Sequence, residues 1–472
     1  MSSLIKNMSF YTIGNILPQA AGFILLPIYS RYLTPADYGI VTSMQVLISV
    51  FGILFTLAID KSVYRLYFDY KLEKDKKDFF GTVTISIIII SIFFLSLLFV
   101  FKDVIGLIFK SIEFSPYYIY AILTALVNVF VLIPKIYFQI NEKANKYFYI
   151  STLQFLFTTG FVLWFVLGEK LGPDGMLKGQ LFGNLILLPL IFYITYRIIN
   201  FTFNFKMLKG ILLYSLPVIP ALLSSWVLTL SDRVFIERYF DLNDVGIYSI
   251  GYKIAGLVMI VTAAFDQAYN PIFYKLAGST NQEKAKKQLV VYNDIYIVTL
   301  LLMVFFVSLF SKEVIQLLFD KQYLDAYKIV PFIALSYLIF QGGGLLNFMM
   351  YQEKKTVQVM YHVVSSAIVN IFLNFLLVPK YGAYGAAIAT ILSFMVLFIA
   401  NYWYAKKCYF IPYNWPRITK IFLILFTIII LFQSVDTNIY LTLLIKSIIS
   451  VAIGIVFLKK YYKQLQSVIN TP

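Results

Sequence analysis

Apolar runs of 18 or more residues alternate with short polar segments along the whole chain. A run of that length can cross the hydrocarbon core of a bilayer as one helix. The runs are continuous and lack the polar–apolar alternation of transmembrane β-strands. The pattern therefore predicts an all-α, polytopic membrane protein with about fourteen transmembrane helices, roughly 8–29, 39–59, 81–101, 117–140, 147–168, 176–197, 210–231, 246–270, 289–310, 328–350, 357–378, 384–404, 417–433 and 438–458.

The chain repeats one segment at about half its length. The motif R-Y-[LF]-x-x-x-D-x-G-I occupies residues 31–40 and again residues 238–247. Three weaker pairs follow in the same order at nearly the same offset: 104–109 with 314–319, 141–143 with 352–354, and 172–175 with 382–385. Each copy holds six predicted spans, an even number, so the two copies have the same orientation. In membranes, such duplications usually surround a transport path.

The duplication predicts the domain organisation. We expect an N-terminal six-helix lobe at residues 1–205 and a C-terminal six-helix lobe at residues 206–410. Residues 411–472 then form two additional transmembrane helices and a short cytoplasmic tail. The polar segments between spans are too short to hold a soluble domain. Function is therefore expected within the bilayer or at its faces.

Charge predicts the orientation of the chain. With both termini in the cytoplasm, the cytoplasmic segments collect roughly 26 of the 39 Lys and Arg residues, and the outer segments about 11. The formal net charge of +16 is thus mainly a topology signal. Nucleic-acid binding is not predicted, because the basic residues lie in short loops between spans.

Several kinds of chemistry lack the residues they need. The chain has one His and one Cys, and it contains no P-loop, HExxH or CxxC motif. ATP hydrolysis and a Cys- or His-built metal site are therefore not predicted. No cofactor is expected. His362 is predicted to be a packed, hydrogen-bonded side chain, and Lys135 remains open to a structural or a functional interpretation.

The eighth predicted span carries the most informative polar face. Its members recur at helical spacing: Ser249, Tyr252, Lys253, Gly256, Ala263, Gln267 and Asn270. We expect Tyr252, Lys253 and Gln267 of this face to line a substrate-binding cavity. A charge at mid-membrane costs about 2.5–3.5 kcal/mol on insertion scales, so it normally faces protein or water. Lys253 is thus a candidate cavity-lining cation; the alternative is a snorkelling or structurally paired side chain. Asp266 flanks this face as a candidate ion-coupling or structural group.

Spans 1, 2 and 7 offer further candidates. Asn15 and Gln19 share one face of span 1, and Ser225 and Asp232 share one face of span 7. These faces suit helices that line a cavity, although bonds between packed helices would explain them equally well. Asp60 and Arg65 at the end of span 2 are candidates for ion coupling and head-group guidance, with interfacial anchoring as the alternative.

The repeated motif lies at the predicted outer ends of spans 1 and 7. Asp37 and Asp244 are interpreted as helix N-caps. Arg31, Asp232, Arg233 and Arg238 could guide an anionic head group or form outer-gate ion pairs, and structural pairing is an equal alternative.

The sequence resembles the oligosaccharide flippases of the MOP exporter superfamily, in its polysaccharide-transporter branch. The segments that carry the resemblance are SLIKNMSFYTIGN, LLPIYSRYLTPADYGIV, SLPVIPALLSSW, SDRVFIERYFDLNDVGIYSIGYKI and AFDQAYNPIFYK. The resemblance implies a V-shaped pair of lobes that alternate between inward-open and outward-open states. It also implies a bacterial inner-membrane flippase for undecaprenyl-pyrophosphate-linked oligosaccharides, as in O-antigen and capsule synthesis.

The resemblance further implies cationic groups in the cavity for the pyrophosphate, and Lys253 is the best-placed candidate. Expected partners are the lipid-linked oligosaccharide, membrane lipids, and polysaccharide polymerase and chain-length proteins. The sequence does not decide whether transport is coupled to H⁺ or Na⁺. Two other functions remain as alternatives. One is an ion-coupled drug or metabolite antiporter of the same superfamily. The other is a membrane-embedded glycan polymerase or ligase, which short outer loops disfavour.

Overall fold

A computed structural model of the chain describes Pro18, residues 21–433 and residues 439–469. In these residues the regular secondary structure is helical throughout, as predicted. The chain divides into two compact units, Met1–Gly246 and Ile247–Pro472. The lobe bounds at residues 1–205 and 206–410 were inferred from the sequence duplication, and they remain a prediction.

The first unit is built from twelve complete described helices and the first residues of a thirteenth. Their bounds are α1 Ala21–Ser30, α2 Pro35–Thr56, α3 Ile59–Leu66, α4 Glu73–Val100, α5 Lys102–Ile105, α6 Ile119–Ile140, α7 Ala144–Leu163, α8 Gly172–Leu185, α9 Leu188–Ile198, α10 Phe205–Ser215, α11 Ile219–Leu230, α12 Asp232–Tyr239 and α13 Leu242–Ala255. Short 3₁₀ or π-helical turns extend or join several of them, such as Phe114–Tyr118 before α6 and Leu216–Val218 before α11.

The second unit holds the remainder of α13 and six further helices. They are α14 Leu257–Ala277, α15 Gln282–Leu318, α16 Val330–Gln352, α17 Thr356–Ala405, α18 Trp415–Gln433 and α19 Ile439–Ile469. A 3₁₀ helix, Lys321–Lys328, joins α15 to α16.

Twelve helical segments of the described chain are long and apolar enough to cross a membrane. They correspond to thirteen of the fourteen predicted spans, because the predicted spans 357–378 and 384–404 form the single run α17. That run is broken at Gly382, whose φ of 54° and ψ of −134° are not helical. The first predicted span, 8–29, lies largely outside the described residues, and α1 covers its end. The polytopic helical fold is confirmed.

The start of α2 shows how the repeated motif begins a helix. Thr34 is the N-cap, and its hydroxyl accepts a hydrogen bond from the backbone N–H of Asp37. The Asp37 carboxylate accepts the Thr34 backbone N–H in return, at 2.9 Å. This reciprocal pair is a capping box. In the second copy, the Asp241 carboxylate accepts the N–H of Asp244. The interpretation of Asp37 and Asp244 as N-caps was therefore wrong by three residues.

The two glycines of the repeated motif allow a close backbone approach within the first unit. A Cβ atom on Gly39 would collide with the backbone carbonyl of Leu242, and one on Gly246 would collide with that of Pro35. The first turns of α2 and α13 therefore pack backbone to backbone. Only residues without a side chain permit this contact.

Helices α18 and α19 lie on the surface of the second unit. Only 6% of the α18 span and 11% of the α19 span are buried. One buried ion pair fixes α19 to α15: Nζ of Lys446 lies 2.6 Å from Oε1 of Glu313, and both side chains are at most 5% exposed. A lysine in an apolar span is thus satisfied inside the protein, as the cost of an unpaired charge requires.

Candidate substrate and ion-coupling residues

Lys253 lies beside a break in the eighth span. Helix α13 ends at Ala255 and α14 begins at Leu257, with Gly256 between them. The Gly256 carbonyl accepts the N–H of Met259, at 2.9 Å, an i to i+3 bond that tightens the chain at this point. Lys253 is half-buried in the last turn of α13. Carbonyl groups at the C-terminal end of a helix favour a cation, so the last turn of α13 suits a lysine. The sequence did not predict this break.

Tyr252 is packed where an exposed, cavity-lining side chain was expected. Its side chain is 8% exposed. Its ring lies 5.9 Å from that of Tyr248 and 5.7 Å from that of Tyr337, the latter in an edge-to-face arrangement. Such pairs stabilise helix packing. In this structure Tyr252 therefore supports the α13–α16 contact beside Lys253.

Helix α14 carries two distinct polar faces. One face packs against neighbouring helices: the Asp266 carboxylate is hydrogen-bonded to Tyr296 of α15. On the same face, Thr262 accepts a hydrogen bond from Gln341 of α16, and Tyr269 donates one to Asn293 of α15. The other face is exposed and carries Ala263, Gln267 and Asn270. The single polar face predicted for span 8 is thus exposed along α14 and buried at Ser249 and Tyr252 of α13.

Asp294 is a buried carboxylate within the apolar helix α15, and it was not among the residues predicted from the sequence. It is 8% exposed and pairs with Arg417 at the start of α18. Its Oδ1 atom has no hydrogen-bond partner among the described residues. Asp294 directly follows Asn293, which accepts the hydrogen bond from Tyr269. The signal available in the sequence was an acidic residue inside the ninth apolar run.

The seventh span is fixed to the second by a tryptophan. Nε1 of Trp226 donates to the backbone carbonyl of Val46, at 3.2 Å, and to the hydroxyl of Ser49, at 3.0 Å. Ser225 is exposed on α11, and its own hydroxyl bonds to the Ala221 carbonyl one turn earlier. Its exposure agrees with a cavity-lining position, and the role itself remains a prediction.

Helix α12 buries three charged side chains. Asp232, Arg233 and Glu237 are 0%, 5% and 3% exposed. Arg233 donates to the backbone carbonyl of Thr229, at 3.1 Å, and Glu237 accepts the N–H of Ser111, at 2.6 Å. Burial of so many charges requires partners in the folded unit. Glu237 was missed, although its spacing of four residues from Arg233 places the two side chains on one face of the helix.

The remaining predicted arginines are at the protein surface. Arg31 and Arg238 are both exposed. Arg65 is exposed on α3 and pairs with Asp69 at 2.6 Å. The hydrogen bond that Arg65 donates to Asp69 raises the pKa of the guanidinium. All three remain candidates for head-group guidance, and Asn15 and Gln19 lie outside the described residues.

Asp60 occupies a short separate helix instead of the end of span 2. The left-handed residues Leu57 and Ala58, with φ of 44° and 56°, end α2 and start α3. Asp60 is 7% exposed and pairs with Lys61 at 2.9 Å. Asp60 is thus a buried carboxylate beside an exposed lysine. Its ion-coupling role remains a prediction.

Lys135 and His362 belong to hydrogen-bonded networks inside their own units. Lys135 of α6 donates to Gln154 of α7, at 2.6 Å, and Gln154 donates to Asn184 of α8, at 2.7 Å. His362 of α17 bonds to Asn401, at 2.7 Å. The prediction of a packed, hydrogen-bonded histidine is confirmed.

Known proteins resemble this chain in both sequence and fold. Residues 28–328 match the model of a family described as polysaccharide biosynthesis protein. The chain belongs to this family. The match covers more than half of the chain and includes both copies of the repeated motif. It confirms the resemblance stated from the sequence.

Two curated relatives share parts of the chain. A protein of the Lsg locus of Haemophilus influenzae is 25% identical over 58% of this chain and 66% of its own length. A probable low-salt glycan biosynthesis flippase, Agl15 of Haloferax volcanii, is 20% identical over 46% of each chain. The chain thus spans from about half to just under two thirds of these two relatives.

Two solved structures share the fold. The lipid II flippase MurJ, in an inward closed conformation, superposes with a TM-score of 0.71 and 16% identity over 97% of this chain and 99% of its own. An inward-facing multidrug resistance transporter of the MATE family, from the MOP superfamily, superposes with a TM-score of 0.62 and 15% identity over 87% and 95% of the two chains. This multi-pass membrane protein therefore has a transporter fold.

Proposed function

We propose that this protein moves lipid-linked oligosaccharides, carried on undecaprenyl pyrophosphate, from the cytoplasmic to the outer leaflet of the bacterial inner membrane. The observation that carries the proposal is the polysaccharide biosynthesis family match together with the fold of a lipid II flippase. The name of the relative Agl15, a glycan biosynthesis flippase, supports the same activity. The transported glycans belong to surface polysaccharides such as O-antigen or capsule.

The mechanism follows from the cost of moving a charged head group through hydrocarbon. Burying an unpaired ionised group costs far more than a transport step can supply. The sugar and pyrophosphate therefore pass along polar helix faces while the isoprenoid tail stays in the bilayer. The exposed face of α14 with Gln267, and Ser225 on α11, provide hydroxyl and amide groups of this kind. Alternating exposure of the site to the two sides completes the cycle.

Lys253 is the proposed head-group ligand, because it is a half-buried lysine inside the eighth apolar span, in the last turn of α13. Asp266 is the proposed ion-coupling carboxylate, since it is a partly buried acidic residue inside an apolar span, where ionisable groups commonly mark ion pathways. Asp60 is a second candidate. The polymerase and chain-length proteins of polysaccharide synthesis are the proposed partners.

Reconstitution into liposomes tests the proposal. The purified chain is incorporated with a fluorescent undecaprenyl-pyrophosphate oligosaccharide, and the loss of inner-leaflet probe to an external glycosidase is followed with and without H⁺ or Na⁺ gradients. Acceleration over empty liposomes is expected, with the gradient effect lost in Asp266→Asn. No acceleration with several glycans and gradients would exclude the flippase function. Efflux of small cations under the same gradients would indicate the antiporter instead.

A further inference from the structure

A polar cavity of about 340 Å³ lies in the second unit at the Leu318 end of α15. Its walls come from α15, the 3₁₀ helix Lys321–Lys328 and helices α16 to α19. Three lysines and two tyrosines contribute polar side chains to it: Lys312, Lys328, Lys446, Tyr327 and Tyr384. Under the predicted orientation this end of α15 is at the outer surface. None of these residues has a role in the proposed transport step.

Lys446 gives the cavity a rigid, buried donor. Its side chain is 4% exposed, and Nζ donates to the Leu309 carbonyl, at 2.8 Å, and to Oε1 of Glu313, at 2.6 Å. An ammonium group has three N–H donors. Two bond within the protein, and Nζ also lies 5.8 Å from the centre of the Phe432 ring, so Lys446 is a fixed cationic group in the cavity wall.

The other two lysines of the cavity come from α15 and from the 3₁₀ helix Lys321–Lys328. Lys328 pairs with Asp325 at 2.6 Å. Nζ of Lys312 lies 5.9 Å from the centre of the Tyr327 ring. Ammonium and phenol groups are all hydrogen-bond donors, so they suit a ligand rich in acceptor oxygens. Lysines bind phosphate as point charges.

An apolar crevice continues from the cavity between α15, α16 and α18. The two spaces share Ser308 and Ile429, and the crevice walls include Phe305, Leu335 and Phe426. Because only 6% of the α18 span is buried, the crevice lies at a surface that faces the bilayer. The cavity offers hydrogen-bond donors, and the crevice offers an apolar surface that faces lipid. Together they are complementary to a molecule with a polar head group and an apolar chain.

We propose that the cavity and crevice bind one anionic glycerophospholipid of the membrane. The phosphodiester is held by Lys312, Lys328 and Lys446, and the first part of an acyl chain lies between α15, α16 and α18. Attraction of anionic lipid to clustered lysines favours this occupant over a neutral phospholipid. The lipid would hold α18 against the body of the unit, and the site does not depend on the transported substrate.

Native mass spectrometry of the purified full-length chain tests the site. The protein in detergent is titrated with phosphatidylglycerol, with phosphatidylcholine of the same acyl chains, and with inorganic phosphate. Lys312→Gln/Lys328→Gln removes head-group donors, and Leu335→Trp fills the crevice. Lys102→Gln/Lys110→Gln is the matched control, since these exposed lysines lie in the first unit. A thermal unfolding curve of each variant verifies that it folds.

We expect the wild type and the control to bind one phosphatidylglycerol tightly and phosphatidylcholine more weakly. Lys312→Gln/Lys328→Gln should lose about tenfold or more in phosphatidylglycerol affinity, and Leu335→Trp should weaken both lipids. Equal affinity in the double variant and the control would overturn the proposal. Phosphate binding without any lipid preference would overturn the lipid assignment. If the double variant does not fold, an unchanged lipid affinity in Leu335→Trp overturns it.

Discussion

At the scale of single residues, substitution of Lys253 tests whether this lysine binds the substrate or only stabilises the structure. Lys253 lies in the last turn of α13, and a helix C-terminus favours a cation. A charge-assisted bond to a pyrophosphate contributes about 1.5–3 kcal/mol. We therefore expect Lys253→Ala to slow flipping about 10- to 100-fold in liposomes. Lys253→Arg should keep most of the activity.

The control for this prediction is Lys206→Ala, an exposed lysine in the first turn of α10. It should flip at the wild-type rate. The yield of folded Lys253→Ala protein should match that of the wild type. A collapse in yield, with normal transport per folded molecule, would show that Lys253 stabilises the helix break instead of binding substrate.

The residues that the sequence did not identify share one property. Glu237, Asp294 and the Gln154 network are polar groups whose partners lie on other elements, and only the fold brings the two sides together. Helical spacing places a side chain on a face but does not say which neighbour covers it. For that reason Tyr252 was expected in a cavity and is packed against Tyr337.

At the scale of elements, the glycines of the repeated motif determine how α2 and α13 meet. A Cβ on Gly39 would overlap the Leu242 carbonyl, so the two backbones must separate. We expect Gly39→Ala to lower the free energy of unfolding by about 1–3 kcal/mol, the usual cost of overpacking. Thermal unfolding of the detergent-purified chain measures this.

The same helix supplies a matched control. A Cβ atom on Gly52 of α2 would meet no atom of a neighbouring element within 4 Å. Gly52→Ala should be neutral or should stabilise the chain by up to about 1 kcal/mol, because alanine is the better helix former. Similar losses in Gly39→Ala and Gly52→Ala would mean that helix flexibility, and not the close approach to Leu242, requires glycine.

Element boundaries show where sequence patterns stop being informative. Hydropathy located thirteen of the spans because a long apolar run has few alternatives in a membrane. It did not locate the breaks at Gly256 and Leu57–Ala58, since these depend on local backbone angles inside apolar segments. Those breaks place Lys253 and Asp60, so the candidate sites were less predictable than the fold.

At the scale of the whole molecule, the sequence duplication and the charge distribution predict different things. The duplication predicts two groups of six spans with one orientation. The excess of Lys and Arg in alternate loops predicts which side of the membrane each loop faces. Neither the helix bounds nor the packing within each unit distinguishes the two sides, so the orientation of the chain is a prediction that needs its own measurement.

Cysteine labelling provides that measurement, because the chain has one native cysteine. In a Cys408→Ser background, Lys71→Cys lies before α4 and Glu169→Cys lies before α8, and both positions are exposed. With both termini in the cytoplasm, a membrane-impermeant maleimide should label Glu169→Cys on intact cells. It should label Lys71→Cys only after permeabilisation. Cys408→Ser alone is the control for background labelling. The reverse pattern would invert the chain and place the lysine-lined cavity beside α15 at the cytoplasmic face.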